Sequence, residues 1–106
     1  MKTVINHARL ITGTDQVIED GSLQFEDGRI TGINEEELDG DQVVDGSGKT
    51  IIPGLIDCHV HLGMEMPGRG FAMKAANDTE LGARIMEQCL EFPRYGVTCV
   101  RNAGTD

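Results

Sequence analysis

Hydrophobic and polar positions alternate along the first half of the chain in short runs separated by turn residues. Residues 22–26 alternate, residues 29–33 alternate again, and Asp27-Gly28 lies between them. Alternation places the apolar side chains on one face of a strand, and Asp-Gly suits a hairpin whose two turn positions both have φ > 0. Together with β-prone runs at 4–5, 9–11, 16–18, 43–44 and 50–52, the pattern predicts a small antiparallel β-unit over residues 1–52.

The pattern changes at Pro53-Gly54. Residues 55–62 are almost continuously apolar, which predicts a strand buried on both faces, as in a parallel sheet. A loop rich in Gly and Met follows at 63–77, and residues 97–100 predict a second buried strand. With a helix between the two strands, this order predicts a right-handed β-α-β unit with parallel strands.

The intervening helix is expected from about Asp78 to Arg94. Asn77 is the expected N-cap, and Glu80 is placed to complete a capping box. Apolar side chains recur at helical spacing and predict a buried stripe; they are Leu81, Ile85, Cys89 and Phe92.

Composition narrows the class of protein. The chain has 106 residues, of which 39% are hydrophobic and 25% charged, as is typical of a globular protein. The net charge of −9 argues against nucleic-acid binding, which requires a basic face. The sequence contains neither an apolar run long enough for a membrane helix nor the apolar core of a signal peptide, so we expect a cytoplasmic location. The acidic run at 35–37 is interpreted as a solvated loop.

Two histidines within the apolar strand are the candidate chemistry. Alternate side chains of a strand share a face, so Asp57, His59 and His61 point one way and Cys58 points the other. Two imidazoles so placed can converge on one ion with bonds of about 2.0–2.1 Å. Cys58 is expected to pack against the helix instead, and the odd cysteine count indicates reduced thiols.

A pair of histidines can also be structural, and two features favour metal binding here. His59 and His61 lie at the carboxyl end of a predicted parallel strand, where barrel and open α/β enzymes place their sites. The Gly-rich loop that follows leaves room for a substrate.

The residues that carry this chemistry resemble a known family. The segment 52–62, IPGLIDCHVHL, is similar to the first barrel strand of the amidohydrolase superfamily, with its pattern PG-[LF]-ID-x-H-x-H. Residues 95–104 resemble the second barrel strand, and residues 1–52 resemble the N-terminal β-sandwich segment. Within the superfamily, these motifs most resemble those of the imidazolonepropionase and Xaa-Pro dipeptidase-like branch. Asn102 stands where that branch often carries Asp.

This resemblance implies an α/β fold, with a β-sandwich segment at 1–52 and, at 53–106, the first strand, helix and second strand of a (β/α)₈ TIM barrel. It implies a centre of one or two divalent ions, most often Zn²⁺, with His59 and His61 as ligands. Water activated by the metal would hydrolyse a C–N bond in a small amide, cyclic amide or dipeptide. Asp57 could orient a histidine, and Arg69 could bind a substrate carboxylate, unless it is simply a solvated loop residue.

A complete barrel requires about 250 residues, so two of its eight strands cannot form the whole site. In the family the other ligands and the general base come from later strands, and His7 is expected at the surface. We therefore expect the chain alone to be inactive, and its open strand edges to favour a homo-oligomer or domain exchange. The alternative is a free-standing, non-catalytic β-rich interaction or oligomerisation module, which the gene sequence beyond Asp106 would distinguish.

Overall fold

The computed structural model describes residues 1–64, 75 and 77–104. The chain forms two compact units, Met1–Pro53 and Gly54–Asp106. The first unit consists of five strands: β1 (Lys2–Ile11), β2 (Val17–Glu26), β3 (Arg29–Asn34), β4 (Gln42–Asp45) and β5 (Thr50–Ile51). The described elements of the second unit are β6 (Leu55–Val60), α1 (Asp78–Glu91), a 3-10 helix (Phe92–Tyr95) and β7 (Val97–Asn102).

The strands of the first unit form one mixed sheet in the order β3-β2-β1-β4, with β5 also pairing with β1. The pairs β1–β2 and β2–β3 are antiparallel, as predicted. The pairs β1–β4 and β1–β5 are parallel, so the prediction of a wholly antiparallel unit is wrong. The connection after β3 returns the chain to the far side of β1, where β4 runs in the same direction as β1.

The hairpin between β2 and β3 confirms its sequence signal. Asp27 has φ 49° and Gly28 has φ 75°, so both turn residues adopt the left-handed conformation that this type of turn requires. β1 is a single strand rather than two runs, and His7 interrupts its regularity with φ 60°. The pairing of β1 with β2 changes register between Ile5 and Ala8, on either side of His7.

The core of the first unit lies on this sheet. Its buried apolar side chains are Val4, Ala8, Leu10 and Ile18. Asn6 is also buried, and its side chain satisfies both polar groups by donating to the Leu38 carbonyl (3.1 Å) and accepting from the Leu38 amide (3.2 Å). That pair of bonds attaches the β3–β4 connection to the central strand.

The second unit confirms the predicted parallel strands. β6 and β7 pair in parallel, with Leu55 opposite Val97 and Val60 opposite Asn102. The prediction that these strands are buried on both faces is wrong for this chain, since Leu55 is 50% and Ile56 66% exposed. Among the described residues of this unit, α1 and the 3-10 helix offer too little surface to cover both faces of the strand pair.

The helix between them begins as predicted and ends earlier. The Asn77 side chain accepts from the Glu80 amide at 2.9 Å, which confirms the N-cap, whereas the Glu80 carboxylate accepts from Arg84. α1 ends at Glu91 instead of Arg94, and the next residues, which include Pro93, form the 3-10 helix. Within the expected buried stripe, Leu81, Ile85 and Phe92 are half-buried and Cys89 is exposed. No helix in the described residues is long and apolar enough to cross a membrane.

Candidate metal site

The site lies where β6 ends. β6 is held beside β7 by the Leu55 amide, which donates to the Gly96 carbonyl (2.9 Å), and by the Ala103 amide, which donates to the Val60 carbonyl (2.8 Å). Gly54 precedes the strand because a Cβ there would lie 2.0 Å from the Thr98 hydroxyl oxygen. The Pro-Gly of the sequence motif therefore permits the close approach of β6 to β7.

His59 and His61 converge at this strand end. His59 lies in β6, and His61 immediately follows its last residue. Their Nε2 atoms are 3.2 Å apart, and the two rings meet edge to face with centroids 5.1 Å apart. Two nitrogens bound to one tetrahedral ion by bonds of about 2.0–2.1 Å are separated by about 3.3–3.4 Å. The pair therefore fits two neighbouring ligand positions of a single ion.

The hydrogen bonds of the pair indicate its tautomers. His61 Nδ1 lies 2.9 Å from the Gly104 carbonyl oxygen, and because that oxygen can only accept, Nδ1 carries the proton. In the neutral imidazole, His61 Nε2 then carries a lone pair, and it accepts a hydrogen bond from His59 Nε2. A backbone carbonyl at the far nitrogen is a common partner of metal-binding histidines.

Asp57 acts on the backbone of the pair. Its Oδ1 accepts from the His59 amide at 3.0 Å, so the carboxylate holds the main chain from which the imidazole of His59 projects. The expected role in orienting a histidine stays a prediction. Cys58 is exposed, and the prediction that it packs as a small apolar residue against the helix is wrong for this chain.

The other sequence-predicted residues do not join this cluster. Arg69 lies outside the described residues. His7 belongs to the first unit, where its side chain is 44% exposed and contacts Asp20 (3.4 Å) and Glu37 (3.0 Å). Within residues 1–64, 75 and 77–104, no group of three or more His, Cys, Asp or Glu side chains could hold a metal ion. The described residues thus bring together two candidate nitrogen ligands, whereas a tetrahedral ion requires four.

Sequence reasoning missed the amide side chains around the pair. Asn102 accepts from the Leu62 amide (3.2 Å), and Gln88 accepts from the Gly63 amide (2.6 Å) and donates to the Met64 carbonyl (2.8 Å). The only sequence feature that pointed to these contacts was Asn102, which departs from the Asp of the family pattern. These contacts join residues 24 to 40 positions apart, which local patterns do not reveal.

Known proteins resemble this chain in sequence and in fold. No family model matches the chain. A 5-methylthioadenosine/S-adenosylhomocysteine deaminase of Desulforamulus reducens is 31% identical over 92% of this chain, and an imidazolonepropionase of Brevibacillus brevis is 30% identical over 79%. The crystal structure of a Xaa-Pro dipeptidase with methionine in its active site superposes on 98% of this chain and 27% of that one, with a TM-score of 0.77 and 27% identity.

These similarities define the class. The strand-rich α/β chain has the fold of the N-terminal part of such enzymes. The chain belongs to the amidohydrolase superfamily. Both enzyme types of the branch expected from the sequence are among the similar proteins, together with deaminases. The chain spans 28% of the length of each of these two curated relatives.

Proposed function

We propose that the chain is the N-terminal portion of a metal-dependent amidohydrolase that hydrolyses a C–N bond in a small amide, cyclic amide or dipeptide. Residues 1–52 would be its β-sandwich segment and residues 53–106 the start of its barrel. The similar proteins support the reaction class, since they include a deaminase, an imidazolonepropionase and a Xaa-Pro dipeptidase. The observation that carries the proposal is the 3.2 Å approach of His59 Nε2 to His61 Nε2.

The residues of this chain would hold the ion and leave most of the chemistry to the rest of the protein. His59 and His61 supply two neutral nitrogen ligands, which suit Zn²⁺. When bound, such an ion lowers the pKa of water to near neutrality and polarises a carbonyl group. Asp57 holds the backbone of one ligand, and Arg69 is our candidate for a substrate carboxylate. A second divalent ion and its ligands would belong to other parts of the protein.

Zinc uptake tests the ligand assignment. We expect the chain to bind Zn²⁺ in equilibrium dialysis, and the variants His59→Ala and His61→Ala each to lose that binding, because one imidazole alone is a weak ligand. His7→Ala is the matched control, since His7 lies in the first unit and touches carboxylates instead. Unchanged zinc stoichiometry in both site variants would contradict the assignment.

The remaining parts of the proposal concern the whole protein. We propose that it acts in the cytoplasm on a small-molecule substrate, that this chain alone is inactive, and that it forms homo-oligomers or exchanges domains when produced by itself. Sequencing the gene beyond the codon for Asp106 tests whether the chain is the N-terminal portion of a longer enzyme. A reading frame that continues for most of a barrel, about 250 residues in total, is expected. A natural stop codon at that point would instead support the non-catalytic module.

A further inference from the structure

The backbone that follows His61 is held from two sides by amide side chains. Gln88 of α1 binds the Gly63 amide and the Met64 carbonyl, and Asn102 of β7 binds the Leu62 amide. Gly63 is buried and has φ 82°, so the chain turns sharply here. The main chain next to the histidine pair is therefore tied to α1 and to β7.

Asn102 differs from Gln88 in a second contact. Its Oδ1 also accepts a longer bond from the Gly104 amide, at 3.4 Å. Gly104 is the residue whose carbonyl oxygen accepts from His61 Nδ1. One carboxamide oxygen thus binds the residue that follows His61 and the residue that faces its imidazole. Gln88 holds the same turn through Gly63 and Met64, and these bonds reach neither Leu62 nor Gly104.

Gly104 depends on such support because its backbone conformation has few intrinsic restraints. Its φ is 135°. Residues with a side chain rarely adopt this backbone conformation, whereas glycine reaches it without steric cost. A glycine also has the largest backbone freedom to lose when it is fixed in one conformation. A hydrogen bond to its amide fixes the peptide group between Ala103 and Gly104, and so restricts one side of the residue whose carbonyl oxygen faces His61.

We propose that Asn102 is a positioning residue for His61. Its Oδ1 fixes Gly104 so that the Gly104 carbonyl accepts from His61 Nδ1, which holds the imidazole as the Nδ1-protonated tautomer with the Nε2 lone pair towards His59. The use of that lone pair for a metal ion rests on the proposed function. The tautomer and the ring orientation are properties of the chain without metal, and they can be measured independently.

The test combines ¹⁵N NMR of the imidazole nitrogens with Zn²⁺ titration. We expect the unmodified chain to carry the His61 proton on Nδ1. Asn102→Leu removes the acceptor, so we expect mixed tautomers at His61 and a loss of zinc affinity of about 10-fold to 100-fold, the range for lost supporting contacts at metal ligands. Asn102→Asp keeps an oxygen acceptor for both amides and should restore the tautomer and the affinity to within about threefold of the unmodified chain.

Gln88→Leu is the matched control. It removes a side chain that holds the same turn but leaves Gly104 untouched, so the His61 tautomer should stay as in the unmodified chain. If Gln88→Leu and Asn102→Leu disturb His61 equally, Asn102 only stabilises the turn and the proposal is overturned. A proton on Nε2 of His61 in the unmodified chain overturns it without any variant.

The outcomes also separate this proposal from the proposed function. The unmodified chain could show the expected tautomer, and Asn102→Leu could lose it, while the unmodified chain takes up no Zn²⁺. That result refutes the metal assignment and leaves the positioning role intact. Conversely, equal zinc affinity and an unchanged tautomer in Asn102→Leu refute the positioning role and leave the two ligands in place.

Discussion

The two units of the chain differ in how completely their own residues bury their apolar side chains. Met1–Pro53 contains all the buried apolar side chains of the described residues, on β1 and β2. In the described part of Gly54–Asp106 the apolar side chains are half-buried or exposed, with Ile56 at 66% exposure. As far as the described residues go, the unit that carries the candidate chemistry thus has the smaller core.

The difference indicates that the two units use different interactions to hold their shape. Burial of apolar side chains is the main stabilising contribution in the first unit. In the second unit, backbone and amide hydrogen bonds hold the strand end near the histidines, and such bonds contribute about 0.5–1.5 kcal/mol each. Substitutions in the core and substitutions of polar contacts should therefore have effects of different size in the two units.

The largest expected effect tests the core of the first unit. Leu10 is 3% exposed, and Leu10→Ala should lower the free energy of unfolding of this unit by about 2–5 kcal/mol, through lost burial and a remaining cavity. Ile56→Ala, at the exposed position in β6, should cost less than about 1 kcal/mol. Amide hydrogen exchange followed separately in β1 and β6 measures both. An equal cost at Ile56 would show that β6 is covered by other parts of the molecule.

A smaller effect is expected at the start of α1. Asn77→Ala removes the acceptor for the Glu80 amide and should lower helix stability by about 1 kcal/mol, seen as faster exchange of the amides in the first turn. Asn77→Ser is the control, because a serine hydroxyl can accept the same bond. The N-cap interpretation fails if serine and alanine cost the same.

The smallest effect concerns a surface carboxylate of the first unit. The Ser47 hydroxyl (2.6 Å) and the Ser47 amide (2.9 Å) both donate to Asp45, and these bonds hold the pKa of the Asp45 carboxyl below its ordinary value. Because the folded pKa is lowered, the stabilisation is present above the ordinary pKa and is lost as pH falls through the lowered one.

Ser47→Ala removes the hydroxyl bond, the larger contribution, and the pKa of Asp45 should rise part of the way to its ordinary value. Carboxyl ¹³C NMR titration measures this shift, and Ser47→Thr should leave the pKa low. An unchanged pKa in the alanine variant would show that the amide bond alone accounts for the shift.

Features decided by a few neighbouring residues could be predicted from the sequence. The hairpin followed from the conformational needs of Asp27-Gly28, and the helix start followed from an Asn77 contact that spans three residues. The histidine pair was recognisable because strand geometry places alternate side chains on one face. In each case the determining interaction lies within one turn or one strand.

Features decided by distant residues could not be predicted in this way. The alternation in residues 1–52 is compatible with parallel or antiparallel neighbours, so it did not reveal the pairing of Thr3 with Gln42. The contact of His61 with Gly104 spans 43 residues, and nothing in the spacing of either residue indicates it. Burial in β6 was overestimated because an apolar run indicates a tendency to be covered, whereas the covering elements must come from elsewhere.

The parallel pairing of β1 with β4 and β5 has a consequence for the order of events during synthesis. β1 is made first, yet its partners on one edge, residues 42–45 and 50–51, are among the last residues of the first unit. Pairings between distant residues close slowly, and domains generally fold as units while the chain emerges. We expect the β1–β2–β3 meander to form early on the ribosome and the sheet to be completed only once Ile51 has emerged.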